Sequence, residues 1–349
     1  MAEFTARLQA HQSIINDWSS LQSKGRVVGK QLDSIGRRNR LKATSTGKRV
    51  SPTERDLLWF TKIHEHGPLP SSFLLAFTKD SHKSEKRAKE RLTDLFNEAN
   101  TPHGGPYLSR PPQQFRTIDS RYNQLVYDLA PAALKALAVQ QGDKVVKPPR
   151  PGPWVHSLMV SCITTSIELA CLERDDLSYI AQSRILVRAR AELRYPIRIA
   201  DPATGLEYDK HLIPDAIFGL EYHGDVGSRF RFFAVEADRA TEPVISTSFN
   251  RKSFDRHLRQ YHAYIERRLY QQHLRLTAPM LVLNVSSGPK RINSMLEHAQ
   301  RHYPKGCNYQ LFQIWKDFGP VFTPPKPNLS LLLEEWQRTN LEKFRIEKI

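Results

Sequence analysis

Two short apolar runs carrying acids constrain this chain more than any other feature. His211-Leu212-Ile213-Pro214-Asp215-Ala216-Ile217-Phe218 and Phe230-Arg231-Phe232-Phe233-Ala234-Val235-Glu236-Ala237-Asp238 are rich in Ile, Val and Phe and have strand length. Between them, Tyr222–Ser228 holds Gly224, Asp225 and Gly227, the residues of a hairpin turn. With the turn centred near Asp225 and Val226, antiparallel pairing sets Asp215 opposite Glu236. Partners across such a ladder have Cβ atoms about 4.5–5.5 Å apart. Asp238 lies two residues beyond Glu236 and shares its face. Three carboxylates converging on an apolar ribbon repel one another, and burial raises the cost. A hard divalent cation held by Asp215, Glu236 and Asp238, Mg²⁺ or Mn²⁺, relieves it. The alternative is a hairpin whose acids lie on a solvated face.

The 349 residues allow two domains, each with its own core. A net charge of +16 points to a polyanionic partner, nucleic acid before membrane. No apolar run reaches the roughly 18 residues of a membrane span, and charged residues interrupt any signal-peptide pattern near Met1. Cys162, Cys171 and Cys307 lack metal-ligand or disulfide spacing, which fits a reducing cytoplasm.

Residues 1–22 carry a rough helical stripe, and residues 23–50 set nine Lys and Arg residues against Asp33. Together, 1–50 read as an N-terminal helix and a flexible basic arm, a phosphate-contacting segment or a plain solubilising linker. Residues 51–143 read as a first domain. A capping pattern at Ser51-Pro52-Thr53-Glu54 opens a helix closed by Gly67-Pro68, a short helix covers Ser71–Phe77, and a third spans Ser84–Ala99. Gly104–Leu108 and Leu125–Leu129 look like wing strands, and Ala132–Val139 like a closing helix. That order is a winged helix-turn-helix with Ser84–Ala99 as recognition helix. Lys86, Arg87, Lys89 and Arg91 on the third helix, with Arg110, Arg116 and Arg121 in the wing, are the candidate DNA contacts. A helical scaffold without DNA binding is the alternative.

Residues 144–153 (KVVKPPRPGP) form a Pro-rich linker. The second domain, 154–322, opens with a long apolar helix from Trp154 and runs through the acid-bearing strands, an amphipathic helix over Arg251–Gln271, a buried strand at Pro279–Val285, a helix to about His302, and a strand at Tyr309–Asp317. Residues 323–349 read as a C-terminal amphipathic helix carrying Leu329, Leu332, Leu333, Trp336 and Phe344.

Pro214-Asp215-Ala216, the run Val235–Pro243 (VEADRATEP) and Ser253–Tyr261 (SFDRHLRQY) together resemble the PD-(D/E)xK nuclease-like fold. More narrowly, they resemble bacterial replication-relaxation proteins, which include mobilisation relaxases of the MobC type. His156 fits the same pattern, and the upstream helix order extends the resemblance over about residues 51–320. The fold class implied is α+β: a winged helix-turn-helix followed by a restriction-endonuclease-like α/β domain. The resemblance implies metal-assisted phosphodiester cleavage at a plasmid or transfer origin in double-stranded DNA, alongside other mobilisation or replication proteins. Asp215 and Glu236 would hold Mg²⁺, with Asp238 as third ligand or base, and His257, Lys252 or Arg256 as the cation at the phosphate. Gln260 and Tyr261 would position the strand or only pack the helix.

Two departures stand out. Asp238 occupies the place of the nuclease lysine, and His257 the place of a helical lysine. Histidine supplies charge only when protonated. Two readings follow: a metal-dependent nicking or relaxing enzyme, and a non-catalytic DNA-binding initiator or mobilisation accessory on a degenerate nuclease fold. A sequence-independent restriction-type nuclease is a third. A covalent tyrosine mechanism is disfavoured, because the one His-x-His, His64-Glu65-His66, falls at a helix end.

Overall fold

The computed structural model describes residues 40–349 apart from 100–102, 117–121, 143–144, 146–151, 202–203, 226, 247, 249 and 319–322. The expected helix over 1–22, most of the basic arm, Arg121 and most of the 144–153 linker therefore lie outside the described residues. Residues 1–46 and 47–349 form separate units; of the first, residues 40–46 carry neither helix nor strand.

Within the larger unit, α1 (Glu54–His66) starts at Thr53 rather than Ser51. The Thr53 hydroxyl accepts from the Asp56 amide while the Asp56 carboxylate accepts from the Thr53 amide, a closed capping box. Strand β1 (Leu69–Pro70), α2 (Ser71–Phe77) and α3 (Glu85–Asn97, capped by Ser84) follow. Then come β2 (Leu108–Ser109), β3 (Val126–Leu129) and α4 (Pro131–Gln141). The three strands pair antiparallel in the order β1-β3-β2. The expected strand at Gly104–Leu108 shrinks to two residues, since Gly104 and Gly105 take φ of 72° and 155° and Pro106 has no amide for a ladder.

Helix α5 (Trp154–Cys171), which the short α6 (Gln182–Ala189) follows in the chain, packs against a seven-stranded mixed sheet. Its 18 residues, with mean hydropathy 1.2, meet the length and composition of a membrane span, contrary to the expectation that no stretch does. They are the core of the protein, continuously buried from Leu158 to Cys171. The sheet comprises β4 (Leu177–Ile180), β7 (Ala216–Tyr222), β8 (Arg229–Asp238), β9 (Met280–Ser286), β10 (Gln310–Ile314), β11 (Trp336–Arg338) and β12 (Lys343–Phe344). Its order is β12-β11-β10-β9-β8-β7-β4, with β8, β9 and β10 parallel and every other neighbour antiparallel. The parallel strands are linked by helical crossovers: α7 (Phe254–Glu266) and α8 (Leu269–Leu274), then α9 (Pro289–His302). The expected single helix over Arg251–Gln271 breaks at Arg267-Arg268, where Arg268 takes φ of 52°.

Two further departures bear on the sheet. The run His211–Phe218 is not one strand. Its first part is β6 (Glu207–Leu212), paired in a separate ribbon with β5 (Tyr195–Ala200), while β7 begins at Ala216 in the main sheet. Pro214, without an amide, sits in the gap. The C-terminal amphipathic helix is also replaced. Residues 330–333 make one helical turn, α10, and β11 and β12 form a hairpin on the sheet edge. Trp336 and Ile346 are wholly buried, so each apolar residue finds its own niche instead of lining a helix stripe. The tight turn through Asn340-Leu341, with Leu341 at φ 67°, breaks any helix there.

Candidate functional site

The break at Pro214 places Asp215 at the mouth of β7, and the β7–β8 register sets its position. Ala216 pairs with Val235 and Ile217 with Ala234, so extending the ladder by one step aligns Asp215 with Glu236, as the turn residues imply. Asp215 and Glu236 line one cavity of about 290 Å³ with His156 from α5, His257 and Tyr261 from α7, and Lys252 just ahead of α7.

Each carboxylate is held. His156 Nε2 lies 3.0 Å from Asp215 Oδ1, and the Ala237 amide donates to Asp215 Oδ2 at 2.9 Å. Tyr261 donates its hydroxyl to Glu236 Oε1 at 2.5 Å, and His257 Nδ1 stands 3.4 Å from Glu236 Oε2. His257 and Tyr261 are four residues apart on α7, so they fall on one helix face. Ser253 caps that helix, and Gln260 reaches the His211 carbonyl at 3.3 Å, tying α7 to the β5–β6 ribbon.

The electrostatics follow from burial and proximity. Burial, then the Asp215 charge, lifts the Glu236 carboxyl above its ordinary range against the pull of His257 and Tyr261. Burial disfavours the charged form of His257, yet the Glu236 carboxylate outweighs it and raises the imidazole. The same balance, with Asp215 as partner, raises His156. Asp215, Glu236 and two imidazoles with raised pKa therefore share one cavity.

Asp238 is different. Arg291 of α9 grips it through both oxygens, at 3.1 Å from Nε and 2.6 Å from Nη2. All three carboxylates line the cavity, but Asp238 is neutralised by arginine while Asp215 and Glu236 face each other. Among the described residues, the carboxylate–histidine groups close enough to share an ion are Asp255/His298/His302 and Glu65/His66/Glu168, not Asp215/Glu236/Asp238. Asp215 and Glu236 still suit a hard cation as oxygen donors, because Glu236 is destabilised by the Asp215 charge that a cation would offset. Arg291 carried no signal in the sequence, since its partner lies on a different element 53 residues away. Glu242, within the Val235–Pro243 run, also lines the cavity.

The basic residues divide into two sets. Lys86, Arg87 and Lys89 are exposed on α3, and Arg116 is exposed beyond β2. Arg91 instead holds the wholly buried Asp56 of α1 at 2.6 Å. Arg110 is buried, its guanidinium 3.9 Å from the centre of the Phe96 ring and bonded to the Tyr127 hydroxyl. Both side chains serve the fold rather than a surface, which corrects their reading as DNA contacts.

A basic, mixed α+β protein with an acid–histidine cavity at the end of a β-hairpin is the class that the fold and site define. Residues 60–278 match the profile of the replication-relaxation family, and the chain belongs to that family. The matched span contains Asp215, Glu236 and His257. No curated protein and no solved structure matches the chain. Membership associates the chain with replication or relaxation of plasmids and mobile elements.

Proposed function

We propose that the chain binds double-stranded DNA at a plasmid or mobile-element origin and nicks it at the Asp215–Glu236 cavity, on a PD-(D/E)xK-like domain preceded by a winged helix-turn-helix. One observation carries the chemistry: Asp215 and Glu236 face one cavity flanked by two imidazoles and a tyrosine. The element order α1-β1-α2-α3-β2-β3, with Lys86, Arg87 and Lys89 exposed on α3, supports the DNA-binding part. So does the net charge of +16.

In this reading Asp215 and Glu236 would hold Mg²⁺ or Mn²⁺. Such an ion polarises a phosphate oxygen and lowers the pKa of water. The chain's own groups do the rest. His156 fixes Asp215, and Tyr261 fixes Glu236, so neither carboxylate swings when DNA arrives. His257, whose imidazole the Glu236 carboxylate raises, stands where it can take the part that a lysine has in related nucleases. Lys252 at the cavity wall meets the incoming phosphodiester. Asp238, clamped to Arg291, anchors the end of β8 against α9.

The second reading, a non-catalytic initiator or mobilisation accessory, draws on that clamp and on Asp238 standing where the nuclease fold has its lysine. Mn²⁺ titration separates the two. The enzyme reading predicts Mn²⁺ binding that weakens at least ~10-fold in Asp215→Asn, a change that keeps an acceptor for the Ala237 amide. Equal binding by the two proteins, or none by either, favours the accessory reading.

A further inference from the structure

The opposite face of α7 carries a separate constellation. Asp255 and Arg259 are one turn apart and offset by two residues from His257 and Tyr261, so they look away from the acid cavity and toward α9. There His298 Nε2 lies 2.8 Å from Asp255 Oδ1, and His302 Nε2 lies 3.0 Å from the same oxygen. The two histidines are four residues apart on α9, with ring centroids 4.5 Å from each other. One carboxylate oxygen and two imidazole nitrogens thus converge on a single point.

We propose that Asp255, His298 and His302 form a binding site for a Zn²⁺-class transition-metal ion that clamps α7 to α9. Three features argue for this ligand class. Imidazole nitrogens with one carboxylate oxygen suit Zn²⁺, Co²⁺ or Ni²⁺ rather than Mg²⁺, the reverse of the all-oxygen pair Asp215 and Glu236. Histidines at i and i+4 present both nitrogens to one side of a helix, the spacing used in helical zinc sites. Ligand atoms around a tetrahedral zinc stand about 3.3 Å apart, given bond lengths near 2.0 Å. The donors at 2.8 and 3.0 Å need to part by only a few tenths of an ångström to admit the ion.

The surroundings fit as well. Arg259 holds Asp255 Oδ2 at 3.0 Å, which leaves Oδ1 turned to the histidines and orients the ligand from behind. Asp255 and His298 are buried, while the His302 side chain is 29% exposed, giving an entry path and room for water as fourth ligand. Arg259 Nη2, on a side chain 24% exposed, lies 3.2 Å from His302 Nε2 and has to turn outward for the ion to enter. The other close group, Glu65/His66/Glu168, differs in kind: the Lys62 ammonium already occupies it, at 2.8 Å from Glu65 and 2.7 Å from Glu168. An ion at Asp255 would stiffen the helix that presents His257 and Tyr261 without touching DNA.

The test is a Co²⁺ titration of the full chain, followed by its visible d–d absorption and by Zn²⁺ displacement. The wild type and Asp215→Asn should show the same tetrahedral or five-coordinate bands, which Zn²⁺ abolishes; octahedral Co²⁺ at the acid cavity absorbs only weakly. His302→Gln, at a position exposed enough to keep the fold, should weaken uptake at least ~10-fold while its melting curve without metal stays that of the wild type. His298→Gln should do the same or more. Absence of d–d absorption in the wild type would overturn the proposal. So would uptake that survives in His302→Gln, or uptake lost in Asp215→Asn but kept in His302→Gln, which would put the ion at the acid cavity.

Discussion

Asp215 stands where the chain leaves one sheet for another, and Glu236 meets it because a hairpin fixes the pairing. The outcome at these two residues depends on neighbours with one role each. Tyr261 is wholly buried apart from its bond to Glu236, so Tyr261→Phe removes a donor without removing volume. The loss should lower stability by about 1–2 kcal/mol in a urea melt. It should also slow DNA cleavage while leaving DNA affinity unchanged in a gel shift. Unaltered cleavage would mean that Glu236 needs no positioning. The acid pair was legible in the sequence because turn glycines and strand-like runs set its register. The fate of Asp238 was not, since it depends on Arg291 arriving from α9 through the tertiary fold. Arg91 and Arg110 misled for the same reason: a basic residue reads alike whether it faces solvent or a buried Asp56 or Phe96.

At the scale of elements, α1 and α5 are joined by a buried ionic knot. Glu168 of α5 accepts from Lys62 at 2.7 Å and sits 2.7 Å from His66 Nε2. Burial favours its neutral form, but the His66 hydrogen bond and charge and the Lys62 ammonium prevail, holding its pKa at about 2 against an ordinary 4.5. A carboxylate with a depressed folded pKa contributes stability that is present above the unfolded value and is lost as pH falls through the folded one. The contribution is therefore complete above about pH 4.5 and disappears toward pH 2, with a size of roughly 3 kcal/mol. Urea unfolding of the wild type and Glu168→Gln should differ most near neutral pH and converge at acid pH. A gap that stays constant with pH would show that packing, not charge, sets the difference. Helix starts such as Ser84 were readable from capping residues, and the long core helix from its apolar run. The C-terminal segment was not, because its apolar residues match a helix stripe on paper and are claimed one at a time by the sheet edge.

For the whole molecule, the exposed basic residues of α3 and the acid cavity belong to different elements. The exposed lysines and arginine of α3 should govern affinity. Replacing Lys86, Arg87 and Lys89 together by Ala should weaken binding to duplex DNA and reduce the log–log salt slope by about 2–3, as each phosphate contact contributes about 0.9. Arg91→Ala should instead lower the melting temperature, because it leaves the buried Asp56 carboxylate without its cation. An unchanged salt slope in the triple variant would move the DNA interface off α3. The acid cavity should govern chemistry alone. The most direct measurement is conversion of supercoiled plasmid carrying the cognate origin to open circles, with Mg²⁺ or Mn²⁺, by the wild type and by Glu236→Gln. Open circles from the wild type, with Glu236→Gln shifting the DNA equally well on a gel but leaving it supercoiled, is the predicted result. Plasmid that both proteins bind and neither nicks would contradict the assignment of phosphodiester cleavage to Asp215 and Glu236, as would equal nicking by the two.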